Sequence, residues 1–114
     1  MNWTISQTED IATCRALRRA VFIEEQGVSE ADEVDGRDPE ALHVLATRDG
    51  VALGCARILV SGDTAKIGRV CVLKEARGTG LGAAIILHCL DVARGQAGLT
   101  KAKLGSQTHA TAFY

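Results

Sequence analysis

Aromatic side chains are scarce. Trp3, Phe22, Phe113 and Tyr114 make up the whole set, 4% of 114 residues. Aliphatic side chains must therefore do most of the core packing. Hydrophobic residues reach 46%, enough for one domain with a modest core. Charge of one sign is also lacking. Thirteen Lys and Arg face fourteen Asp and Glu, a formal charge of −1, so nothing global points to a nucleic-acid partner. No apolar run has the length of a membrane span. Met1-Asn2-Trp3-Thr4 lacks the basic-then-apolar order of a secretion signal. The expectation is a cytoplasmic chain with neither membrane nor nucleic-acid partner.

Cys14, Cys55, Cys71 and Cys89 form no Cys-x-x-Cys pair. A zinc site favours close pairs or clustered histidines, so no metal is expected. Each cysteine lies among apolar neighbours, which suits buried, reduced thiols in a reducing compartment.

What is present reads as alternating strands and helices. Trp3 to Ser6 suits a short strand, and Thr8 or Asp10 can cap the next helix. Ile11, Cys14, Leu17, Val21 and Phe22 recur at helical spacing, with Arg15, Arg18 and Arg19 between them. The helix should stop before Gly27. An acid-rich loop then runs from Ser29 to Glu40, with Gly36, the single proline Pro39 and room for a helical turn. Leu42 to Thr47 and Val51 to Val60 predict a hairpin closed by Asp49-Gly50. Ala65 to Leu73 predicts a further strand, Ala83 to Arg94 a long helix, and Leu99 to Leu104 a strand parallel to the one before. Thr108 to Tyr114 is expected to begin a helix. The order β-α-β-β-β-α-β-α describes an α/β (α+β) fold, with a mixed, mostly antiparallel sheet flanked by helices. Residues 1–114 show no linker or repeat and are expected to form a single domain.

The richest segment is Arg77-Gly78-Thr79-Gly80-Leu81-Gly82, between a strand and a helix. Glycines let backbone approach a ligand closely. The first amides of a helix lack internal partners and carry the positive end of its dipole, which suits a phosphate. Arg77 adds a cation. Three readings compete. A ligand-free helix start would carry the entropy cost of three glycines without a purpose. Gly78-x-Gly80-x-x-Ala83 fits a loose dinucleotide fingerprint, but no acidic residue stands about 20 positions on, in Leu99 to Leu104. The third is the pyrophosphate loop of an acyl-CoA-dependent transferase, Arg/Gln-x-x-Gly-x-Gly/Ala, which Arg77, Gly80 and Gly82 complete. No Gly-Lys-Ser/Thr follows, so a P-loop is excluded.

With that loop the chain resembles the GNAT superfamily of N-acetyltransferases. Gly68-Arg69-Val70-Cys71-Val72 looks like the family's fourth strand. Val21-Phe22-Ile23-Glu24-Glu25-Gln26-Gly27, Glu33-x-Asp35-Gly36-x-Asp38, His43, Arg57 and Phe113-Tyr114 look like a bacterial subgroup of small members. The resemblance implies acetyl-CoA as co-substrate and an amine of a small molecule or peptide as acceptor, attacking the thioester directly. It implies a cofactor site of Val70, Cys71, Val72, Arg77, Gly78, Thr79, Gly80, Leu81, Gly82 and Gln107, with Tyr114 as the acid for the leaving thiolate. Glu33 is the favoured base, with Glu25, Asp35 and His43 as other candidates. Glu25, His43 and Arg57 are expected at the acceptor site. The acid-rich segment from Glu24 to Glu40 either attracts a cationic amine or is a solvated loop. Family members usually continue past the last predicted helix with two more strands, so the chain is expected to be truncated there. A homodimer is one way to supply the missing strands. The alternative function is a non-catalytic acyl-CoA-binding or interaction domain.

Overall fold

Residues 3–104 and 110–112 are described by the computed structural model, and their strands form one six-stranded sheet in sequence order. Strand β1 (Thr4–Thr8) pairs antiparallel with β2 (Leu42–Arg48), β2 with β3 (Val51–Ser61), and β3 with β4 (Thr64–Val72). Strand β5 (Lys101–Leu104) lies parallel to β4, as a crossover through a helix requires. The β2–β3 hairpin turns on Asp49 and Gly50 at φ 52° and 79°, the left-handed geometry that an Asp-Gly pair tolerates best.

Helix α1 (Ile11–Arg18) starts where Asp10 accepts a hydrogen bond from the Thr13 amide at 3.1 Å. It widens without a break into a π-helix, Arg19–Glu25. The acid-rich stretch holds a single turn, α2 (Glu30–Glu33), capped by Ser29, and a 3₁₀ turn at Asp38–Glu40. Helix α3 (Leu81–Arg94) fills the crossover.

The sheet is covered on both faces. Cys14 and Leu17 of α1 and Val21 of the π-helix pack with Cys55 and Cys71 on one face. Ile85, Cys89 and Ala93 of α3 pack with Val44, Ile58 and Ile67 on the other. Leu53 through Leu59 of β3 are therefore buried without alternation, as in a strand covered twice. Close packing of α3 depends on Gly54. A Cβ there would stand 2.7 Å from the Cys71 carbonyl and 2.9 Å from Ile85 Cδ1. Burial with no compensating partner pushes the Cys89 thiol up to about 12.

The chain end differs from expectation. Ala110–Ala112 form a strand, β6, antiparallel to β5, instead of the start of a helix. The physical reason is the free edge of β5, whose backbone groups find partners in β6. Among the described residues, no helix is long and apolar enough to cross a membrane, and no group of three His, Cys, Asp or Glu is placed to hold a metal.

Candidate functional site

The glycine turn is built from backbone that side chains would strain. Gly78 and Gly80 take φ of 77° and 88°, and Gly80 is the left-handed N-cap of α3. A Cβ on either would meet nothing within 4 Å, so the space above the turn is open. The first bond closed at the helix start runs from the Ala84 amide to the Gly80 carbonyl, 3.1 Å. The amides of Leu81, Gly82 and Ala83 precede it and have no carbonyl one turn back. Thr79 is tied down by its hydroxyl, which donates to the Ala76 carbonyl at 2.6 Å. These features suit an anionic ligand such as a diphosphate.

Arg77 is already held. Its Nε donates to the Val72 carbonyl at 3.0 Å. Its two terminal nitrogens grip Glu25, Nη2 at 2.6 Å from Oε1 and Nη1 against Oε2. Those hydrogen bonds lower the Glu25 carboxyl and raise the Arg77 guanidinium. The bridge joins the end of the π-helix to the glycine turn, two segments far apart in sequence.

Strand β4 has a double character. Thr64 to Ile67 pair with β5, while Gly68 to Val72 have no β5 partner among the described residues. On its other side the ladder to β3 slips between Cys55 and Arg57, a bulge opposite Arg69, which takes the rare φ of 51°. A cavity of about 630 Å³ opens here. Arg57 and Leu59 line it on the α1 face of the sheet, Ile67 and Ile86 on the α3 face, so it lies beside the bulged part of β4. Val70 is part of its wall.

The remaining wall is ionic. Arg18, 1% exposed, donates from Nε to Glu33 at 3.0 Å and from Nη1 and Nη2 to Asp38 at 3.0 and 2.7 Å. Arg15 donates to Asp38 at 2.9 Å. Arg57 clamps Asp35 with two bonds, 2.9 and 2.7 Å, and reaches Asp38 at 3.2 Å. Arg69 donates to Glu33 at 3.3 Å, to Asp35 at 3.4 Å and to the carbonyls of Asp32 and Glu33. Burial alone would raise the Asp38 carboxyl, but the bonds from Arg18 and Arg15 hold it well below the usual carboxylate range. The bonds from Arg57 do the same for Asp35. Burial alone would depress Arg18, and the bonds to Asp38 and Glu33 more than reverse that.

The network takes up part of the acid-rich segment: Glu33, Asp35 and Asp38 are held by arginines, while Glu24, Glu25, Glu30, Asp32 and Glu40 stand exposed. Glu33 lines the cavity, but it is 3% exposed and both its oxygens accept from guanidinium groups, the surroundings of an anchor. His43, 2% exposed, donates from Nε2 to the Asp38 carbonyl at 2.9 Å, away from the cavity wall. Its Nδ1 and the Arg57 Nε have no partner among the described residues. Cys71 packs in the core, with Sγ 3.5 Å from Cys55 Sγ. Val70 lines the cavity, and Val72, Arg77 and residues 78–82 follow it along the chain to the start of α3. Gln107 and Tyr114 lie outside the described residues.

Arg18 and Arg69 are what the sequence reading missed. Arg18 had a signal. It stands four residues after Cys14 and three before Val21, on the buried stripe of its helix. Nothing local marks Arg69, whose direction depends on the bulge.

Comparison with known proteins agrees with this geometry. A family model described as an acetyltransferase (GNAT) family matches residues 10–114. The uncharacterised protein YyaT of Bacillus subtilis (strain 168) is 42% identical over 113 residues, covering 96% of this chain and 76% of YyaT. An acyl-CoA N-acyltransferase of Pseudomonas aeruginosa superposes with a TM-score of 0.76 at 32% identity, over 90% of this chain and 77% of that one. The N-acetylglutamate synthase of Neisseria gonorrhoeae, solved with coenzyme A and N-acetyl-glutamate, gives a TM-score of 0.66 at 27% identity, over 90% of this chain and 24% of its own.

Proposed function

The chain belongs to the acetyltransferase (GNAT) family, and from that premise we propose that it moves an acetyl group from acetyl-CoA to a primary amine of a small molecule or peptide, in the cytoplasm. The observation that carries this reading is the continuity of two features. The stretch of β4 that has no β5 partner among the described residues, with its bulge, runs through Leu73 and the 3₁₀ turn Lys74–Ala76 straight into the glycine turn of α3.

Acetyl-CoA supplies an activated thioester whose carbonyl carbon accepts the amine. The open space over Gly78 and Gly80 fits a bulky diphosphate. In this reading the amides of Leu81, Gly82 and Ala83 bind it, with the helix dipole adding to their pull. Arg77 adds a cation at the same turn, still fixed by Glu25 and the Val72 carbonyl. Backbone of Val70 and Val72, which has no β5 partner among the described residues, takes an extended arm as an added strand would. A backbone amide near Val72 is the proposed donor that polarises the carbonyl oxygen. Tyr114 is the proposed acid for the departing thiolate. Both Glu33 oxygens accept from guanidinium groups, so in this reading proton removal runs through water, with Asp32 the carboxylate left free on the described wall.

Titration calorimetry with acetyl-CoA and a thiol-release assay over an amine panel test the proposal. Saturable binding with amine-dependent release is the expected result. Binding without turnover on any amine would establish instead a non-catalytic acyl-CoA-binding domain. Arg77→Ala should weaken acetyl-CoA by roughly 10-fold, the low end for a charge-assisted hydrogen bond at a half-exposed site. The loss should shrink as salt is raised. Unchanged affinity would remove Arg77 from the site.

A further inference from the structure

The cavity wall beside β4 is close to neutral, yet its charges are unevenly used. Glu33 and Asp35 are consumed by Arg18, Arg57 and Arg69, and Arg37 is paired with Glu40 at 2.7 Å. Two wall groups are left over. The Lys66 ammonium and the Asp32 carboxylate have no side-chain partner among the described residues. Asp32 sits on α2 and Lys66 on β4, so the two come from opposite banks of the same cavity.

We infer that the acceptor is a small zwitterion, an amine that carries its own carboxylate, with Lys66 holding the carboxylate and Asp32 the amino end. The inference rests on the acetyl-transfer reading and names the substrate class for it. One free cation and one free anion match a ligand that has one of each. A polyamine has no use for Lys66, and its further positive charges would face Arg37 and Arg69 as well. A dicarboxylate without an amine leaves Asp32 opposed by a like charge. Size agrees. At about 3.3 Å per residue, Lys66 and Val70 stand roughly 13 Å apart along β4, a span that a lysine side chain and one small amino acid together fill. Arg69 ties down the backbone of α2 at Asp32 through its bond to the Asp32 carbonyl at 3.2 Å. In the transfer itself the amino group first gives up one proton. With that proton gone to water, its nitrogen bonds to the thioester carbon, the carbon–sulfur bond breaks, and the coenzyme A thiolate takes up the second proton, which the nitrogen sheds as it becomes an amide.

The test is the thiol-release assay with free L-amino acids, their carboxamides and 1,4-diaminobutane, beside acetyl-CoA calorimetry. Free amino acids should exceed their carboxamides by about 10-fold in kcat/KM, the weight of one charge-assisted contact. Lys66→Met should erase that preference by raising KM for the amino acid while leaving the carboxamide unchanged. Asp32→Asn should raise KM for both. Acetyl-CoA affinity should be unchanged in either variant, which also reports an intact fold. Carboxamides or the diamine used as well as amino acids, a preference that survives Lys66→Met, or acetyl-CoA bound with no amino acid acetylated would each overturn the inference while leaving cofactor binding standing. Absence of acetyl-CoA binding would overturn the transfer reading and the inference together.

Discussion

Replacing Arg18 with methionine probes the charged network most directly. Arg18 is the largest of the fully buried side chains, and its three donors meet Glu33 and Asp38 at 2.7 to 3.0 Å. Methionine fills much of the stem's space but offers no donor. Glu33 would keep only Arg69, and Asp38 only Arg15 and Arg57. Removing one member of a buried ion pair costs about 3–5 kcal/mol, because the remaining charge stays desolvated. The surviving arginines place the expected loss near the low end, about 3 kcal/mol. Against a total stability of roughly 5–15 kcal/mol, that is a fifth or more of what holds the fold. It corresponds to a fall in Tm of roughly 12 °C at about 4 °C per kcal/mol for a domain of this size. Urea unfolding at pH 7, followed by circular dichroism, measures it. Pairing the change with Glu33→Gln should give a coupling of at least about 1 kcal/mol, as for residues in one network. A midpoint shift worth less than about 1 kcal/mol, with additive single changes, would mean that the carboxylates are solvated and that the network does not hold α2 in place. In the folded fraction, acetyl-CoA affinity should be untouched while acceptor KM rises, since Arg18 anchors the acidic bank and not the glycine turn.

Three further outcomes are expected. Asp35 and Asp38 have carboxyls held well below the ordinary 3.8 by Arg57 and by Arg18 and Arg15. Lowered groups stabilise the fold above the unfolded value and lose that contribution as pH falls toward the folded one. Stability should therefore be level from pH 7 to about 5 and decline below about 4; equal urea midpoints at pH 7 and pH 3 would contradict this. Gly82→Ala should separate fold from binding. Its Cβ would make only an ordinary 3.8 Å contact with Val72 Cγ2, and alanine favours a helix by about 0.5–1 kcal/mol over glycine. Unfolding should be unchanged or slightly harder, while acetyl-CoA affinity drops by about 10-fold or more as the methyl crowds the amides. Gly80→Ala should instead cost about 1–2 kcal/mol through its left-handed backbone. Normal cofactor affinity in Gly82→Ala would move the diphosphate elsewhere.

Local chemistry wrote much of this protein into its sequence. The Asp49-Gly50 hairpin, the Asp10 cap, the apolar stripe of α1 and the glycine turn before α3 each depend on residues within a few positions of one another, and each appears where the pattern puts it. The parallel pairing of β4 with β5 follows from the same local order, since a helix between two strands carries the chain back across the sheet. Contacts between distant segments were decided otherwise. Glu25 meets Arg77 across 52 positions, and Arg69 meets Glu33 across 36. A charged side chain read alone looks solvated. Its cost or benefit depends on which opposite charge the fold delivers and on how much water is excluded there. The sequence by itself determined the strand–glycine–helix element and the sheet around it, because periodicity and backbone freedom are local. Only the tertiary structure decided which charges of the acid-rich segment are spent on arginines, because pairing and desolvation arise when remote parts of the chain close on the same space.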